Sequence, residues 1–139
     1  MSESASQLAY LRDPRLSAHA IDAVPVWLWS ADGAQILWAN AVGAAIFEAP
    51  GSAALAERRL DPEDPAAVQI ARIAGTLPLD GPPRLERLRG FGAELGRTLT
   101  CGCSRISLPD NRIAVLVVAA EAAGPALPLD ERVRRLVAG

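Results

Sequence analysis

The stretch 26–40, VWLWSADGAQILWAN, constrains the fold more than any other part of the chain. Val26, Leu28 and Ser30 alternate with Trp27 and Trp29, and a run of aromatic and β-branched residues favours a strand. Ala31-Asp32-Gly33-Ala34 follows as a turn, because Asp-Gly supplies the positive φ that a tight hairpin needs. Residues 35–38 return as a second strand, and Asn40 is a favourable N-cap for a helix starting straight after it. The stretch therefore predicts a β-hairpin that runs directly into a helix.

Around this hairpin the chain alternates helices and strands. Residues 2–11 carry a weak helical pattern, and Asp13-Pro14 opens a helix over 14–23 with Leu16, Ala20 and Ile21 on its apolar side. After Asn40 a short helix covers 41–48, and Ser52 caps another over 53–59. The next Asp-Pro pair, Asp64-Pro65, starts a helix whose Ile70, Ile73, Ala74 and Leu77 share one face. Strands are predicted over 84–91, 97–108 and 113–120, with Pro109-Asp110-Asn111 turning between the last two. The final strand, IAVLVVAA, is apolar at both parities, so it is predicted to be central and covered on both faces. Its second face needs a cover: the N-terminal helix, a second subunit, or both. Beyond a Pro/Gly linker, Leu129, Val133 and Leu136 open a heptad seam.

Composition narrows the function classes. A chain of 139 residues with 50% hydrophobic and 22% charged side chains is expected to be one globular domain. A net charge of −2 offers no general attraction to nucleic acid or anionic membrane, so neither is an expected partner. No apolar run reaches bilayer length and the N-terminus lacks a signal-peptide pattern, so the expected compartment is the cytoplasm. Cys101 and Cys103 lie two apart on one predicted strand and form no disulfide framework. One histidine and no clustered carboxylates give no nucleophile–base pair, phosphate loop or zinc motif, so no catalysis is expected.

The order of elements, with Asp32-Gly33 in the first hairpin, Ile36 on the second strand, and Asn40 opening a helix that contains Ala44 and Phe47, resembles a PAS domain. The resemblance spans about residues 23–120, and the flanking helices look like those of PAS modules that feed bacterial sensor histidine kinases. It implies a five-stranded antiparallel sheet with short helices on one face and an N-terminal helix flanking it. On this reading residues 1–22 form the flanking helix region, 23–121 the PAS domain, and 122–139 a linker and the start of a C-terminal signalling helix. The expected role is sensing and dimerisation in bacterial two-component signal transduction, with a homodimer and a downstream kinase or other output domain as partners. The alternatives are a ligand-free interaction module and a stand-alone small-molecule binding domain.

The resemblance makes Asp32, Gly33 and Asn40 structural. It implies no cofactor: haem would need a histidine on the long helix before the third strand, and the only histidine is His19. Flavin photochemistry would need a helical cysteine, whereas Cys101 and Cys103 fall on a strand. A small molecule of unknown identity would meet Ile70, Ile73, Leu77, Cys101 and Cys103. The two cysteines also read simply as small core hydrophobes. Leu16, Trp27, Trp29 and Trp38 are expected at a dimer interface, where aromatic residues are enriched, with the tryptophans stacking on an aromatic ligand as the alternative. Arg84, Arg87, Arg89, Arg97, Arg105 and Arg112 gather on the later strands as solvated faces and edges, with an anionic carboxylate ligand as the alternative.

Overall fold

Residues 3–92 and 97–138 are described by a computed structural model. The elements are α1 (Glu3–Leu11), α2 (Pro14–Ser17), β1 (Val26–Ser30), β2 (Ile36–Ala39), α3 (Ala41–Ile46), α4 (Ser52–Ala56), α5 (Pro65–Ala74), β3 (Arg84–Leu88), β4 (Leu99–Ser107), β5 (Ile113–Ala119) and α6 (Leu129–Ala138). Ser2, where the sequence starts the first helix, lies outside the described residues. The strands form one antiparallel sheet in the order β2-β1-β5-β4-β3. This is the α+β, PAS-like architecture that the resemblance implies, with β5 central.

The hairpin closes where its chemistry demands. Gly33 takes φ of 75°, its N–H donates to the Ser30 carbonyl at 3.0 Å, and the Ser30 N–H donates to the Gln35 carbonyl at 2.9 Å. The Asp32 carboxylate accepts from the Ser30 hydroxyl at 2.7 Å and the Ala34 N–H at 3.0 Å, which holds its pKa below the usual carboxylate value. A Cβ on Gly33 would lie 2.3 Å from the Ala67 carbonyl oxygen, so the glycine also lets the turn approach α5. A register shift between Leu28 and Trp29 inserts an extra residue into β2. This bulge lets consecutive Leu37 and Trp38 both join the core on one face, while Ile36 and Ala39 join the core on the other.

Two cores sandwich the sheet. On the helix-packed face, Trp27, Trp29, Cys101, Cys103, Val115 and Val117 meet Ile70, Ile73 and Leu77 of the α5 region. On the far face, Val26, Leu28, Trp38, Ala114 and Leu116 meet Tyr10 of α1 and Leu16 of α2. The chain's own N-terminal region thus covers the second face of β5. Each tryptophan removes on the order of 200 Å² from water, worth about 5 kcal/mol before chain entropy is counted.

Several helices are shorter than their sequence patterns. The helix expected over 14–23 stops at Ser17 and continues as turns, which leaves Ile21 45% exposed instead of on the buried side. α3 ends at Ile46, and Glu48 follows with φ of 57°. The Arg58 guanidinium donates to the carbonyls of Phe47 and Glu48 at 2.6 and 3.1 Å, filling acceptors that the helix end leaves open. Ser52 is not the cap of α4: that position is Gly51, which makes no side-chain cap bond. The Ser52 hydroxyl is engaged elsewhere, at the sheet edge.

Candidate functional site

β2 is an edge strand, and alternate residues of such a strand direct N–H and C=O groups away from the sheet. Here those groups are taken by side chains. Gln7 on α1, a buried glutamine, donates its amide N–H to the Leu37 carbonyl at 2.8 Å. The Ser52 hydroxyl accepts the Ala39 N–H at 3.0 Å and donates to the Gln7 side-chain oxygen. One serine and one glutamine stand where a sixth strand would otherwise pair. α6 closes over the same place: Arg135 and Leu136, with Gln7, Leu11, Trp38 and Ser52, surround a cavity of only about 30 Å³. That is room for little more than a single water.

Asn40 locks the end of this edge. Its side-chain oxygen accepts the N–H groups of Gly43 at 2.9 Å and Val26 at 3.1 Å. Its amide donates to the carbonyls of Val24 at 2.9 Å and His19 at 3.1 Å. One buried side chain therefore caps α3, completes β1 and holds the segment that leads from α2. Gly43 is needed beside it, because a Cβ there would sit 2.6 Å from the Val26 carbonyl oxygen.

The residues expected to meet a ligand do come together. Ile70, Ile73, Leu77, Cys101 and Cys103 are buried in one cluster on the helix-packed face. The surface cavities at α1, at the hairpin turn and beside α5 are lined by other residues. Burial pushes both thiols up to about 12, so they stay protonated at neutral pH and behave as core hydrophobes. Above them lies an aromatic cluster of Trp27, Trp29, Phe47 and Phe91, with ring centroids 5.0 to 6.1 Å apart and mostly edge-on. Trp27 donates its indole N–H to the Gly43 carbonyl at 2.9 Å. The equally buried indole N–H of Trp29 has no acceptor among the described residues. Phe91 completes this cluster although the sequence singled it out only as a strand end.

The expected dimer contact needs correction. Leu16, Trp27, Trp29 and Trp38 are at most 1% exposed within the single chain. Trp27 and Trp29 point to the helix-packed core and Trp38 and Leu16 to the far one, so none offers surface to a second copy. On the predicted seam, Leu136 packs against the far-face core, while Leu129 and Val133 stay exposed.

Neither Gln7 nor Ser52 carries a sequence signal for this role, because both look like ordinary surface and capping residues. Among the described residues no three His, Cys, Asp or Glu side chains are grouped to hold a metal, and no helix is long and apolar enough to cross a membrane. No family model, curated protein or solved structure matches this chain.

Proposed function

We propose that this chain is a PAS-type sensory and dimerisation domain of a bacterial signal-transduction protein, of the kind that precedes a histidine kinase. In this reading it passes a ligand- or partner-induced change outward through α6. The observation that carries it is the convergence of both flanking helices on the edge of β2. α1 reaches that edge through Gln7, and α6 through Leu136 beside Trp38 and Ser52. A shift in β2 therefore acts on both helices together. Leu136 is the side chain of α6 that joins the far-face core, whereas Leu129, Val133 and Val137 are exposed along its outer side. Beyond its packing on α3, the helix is tied to the far-face core by Leu136, and it can exchange that seat for a seam with the same helix of a second copy.

Native mass spectrometry with an absorption scan tests this. The expected result is a dimer that Val133→Asp converts to monomer without changing the thermal midpoint of the domain. A wild-type monomer at micromolar concentration, or a dimer indifferent to Val133→Asp and Val137→Asp, overturns it. A second reading, a small-molecule binding domain, is favoured by the unpartnered indole N–H of Trp29, which would take a ligand's acceptor atom. A retained mass in the same spectrum supports that reading.

A further inference from the structure

Among the described residues no strand pairs with the opposite edge of the sheet. β3, five residues long, has β4 as its one strand neighbour, and Arg84, Leu85 and Arg87 on it are exposed. Beside it runs a groove of about 610 Å³ between β3 and the outer side of α5. Arg72 of α5 and Arg87 and Arg89 of the β3 strand and its end line this groove, with Val68 and Gln69 between them. The two walls are tied together rigidly. The Gln69 side chain donates to the Arg89 carbonyl at 2.7 Å and accepts the Arg89 N–H at 2.9 Å.

Among the described residues the cationic charge lining the groove is not balanced. Arg15 pairs with Asp13, Arg84 with Glu86, Arg112 with Asp110, and Arg134 and Arg135 with Glu131. Arg72, Arg87 and Arg89 form no ion pair with any described residue, and Glu63 is the one acidic residue among the described lining. This occurs in a chain whose net charge is −2, so it does not follow from composition. A lining with three arginines against one described carboxylate favours an anionic occupant.

We propose that the β3 edge and this groove bind an acidic, extended segment of a partner protein by strand addition. A free small anion would use only the guanidiniums. An added strand also satisfies the outward N–H and C=O groups of β3 and covers Leu85, 70% exposed, and Val68, 50% exposed. The register fixes the pattern. Arg84, Glu86 and Leu88 pair with Cys103, Cys101 and Leu99, whose side chains lie in the helix-packed core, so Leu85 and Arg87 lie on the far face. One row of the incoming strand thus meets an apolar and then a cationic neighbour. An apolar side chain with an acidic one two residues further on matches this row, while a basic strand is repelled.

The test is fluorescence anisotropy of a labelled peptide repeating Val-Thr-Glu-Thr, which puts valine and glutamate alternately along one face, alongside its lysine counterpart and a backbone N-methylated version. The glutamate peptide is expected to bind saturably, more weakly as ionic strength rises, and about tenfold more weakly to Arg87→Glu. Amide exchange on β3 is expected to slow when it binds, and both control peptides are expected to fail. The proposal is overturned if the glutamate peptide does not saturate, or if the lysine peptide binds equally well. Equal binding of the N-methylated peptide, or its displacement by inorganic pyrophosphate at the same concentration as for the parent peptide, also overturns it, since both describe a plain anion site. Thermal unfolding of Arg87→Glu matching the parent chain shows that the variant is folded.

Discussion

At the β2 edge Leu37 gives its carbonyl to Gln7, Ala39 gives its N–H to Ser52, and α6 seats Leu136 beside them. At the β3 edge charged side chains flank a strand that no described residue pairs on its outer side, and its Leu85 is 70% exposed. A sheet has to manage both edges, and two physical means are in use. Satisfying the edge with buried neutral side chains ties it to particular helices, because removing a helix strands a donor or an acceptor. Guarding it with charge leaves the backbone groups in water and keeps the edge available to a complementary partner. The first edge is therefore suited to transmission within the chain, and the second to recognition.

The largest test of this contrast is Asn40→Ala at the closed edge. It removes four hydrogen bonds and leaves the Val26 and Gly43 N–H groups and the Val24 and His19 carbonyls without their partner. A loss of about 3–5 kcal/mol is expected in denaturant unfolding. A loss below about 1 kcal/mol would mean that this edge is not held by its side chains. Gln7→Leu comes next: it keeps the bulk of the side chain but frees the Leu37 carbonyl and the Ser52 hydroxyl. Its expected cost is about 1–3 kcal/mol, with faster amide exchange at Ala39 and in α6. Faster exchange at Ala39 alone would separate the edge from α6 and weaken the proposed relay.

The sequence made the hairpin legible because turn chemistry and capping are local: Asp32, Gly33 and Asn40 do what their residue types favour. It also placed β5 at the centre, since a strand apolar at both parities must be buried twice. The helix pattern of Ile70, Ile73 and Leu77 located the core face of α5 for the same reason. The destination of the tryptophans was not legible. Aromatic composition does not distinguish a core from an interface, and the bulge that sends Leu37 and Trp38 to one face has no clear local signal. Nor was the role of Gln7, which depends on a contact thirty residues away in sequence.

A third site refines the comparison through pH. Before the start of β3, the outer side of β4 is covered by Asp80. Its N–H donates to the Arg105 carbonyl at 2.7 Å, and its carboxylate accepts from the Ser107 N–H at 2.9 Å and hydroxyl at 2.7 Å. Those bonds from Ser107 hold the Asp80 pKa below its ordinary value. A carboxyl whose folded pKa is depressed stabilises the fold above its unfolded value, and that contribution is lost as pH falls through the folded one. Acidification below the usual aspartate range is therefore expected to speed amide exchange at Ser107 before it affects Ala39, whose partner Ser52 does not titrate. Simultaneous loosening of both would remove the distinction between a charged closure and a neutral one.

The smallest effect on stability is expected from Arg87→Val, and its smallness is informative. Arg87 is exposed and makes no ion pair among the described residues, so its removal should change unfolding free energy by no more than about 0.5 kcal/mol. Valine favours the strand locally and extends the apolar surface next to Leu85, so the strand itself is not weakened. What changes is the guard on the edge. A five-residue strand with outward backbone groups and a flatter apolar face can pair with its own copies, so sedimentation should show concentration-dependent association beyond the dimer expected of the parent chain. Gln7→Leu should show the reverse, losing stability first and associating only as α1 opens. If Arg87→Val instead unfolds the domain without associating, the arginine belongs to the fold, and the two edges do not differ in the way their geometry indicates.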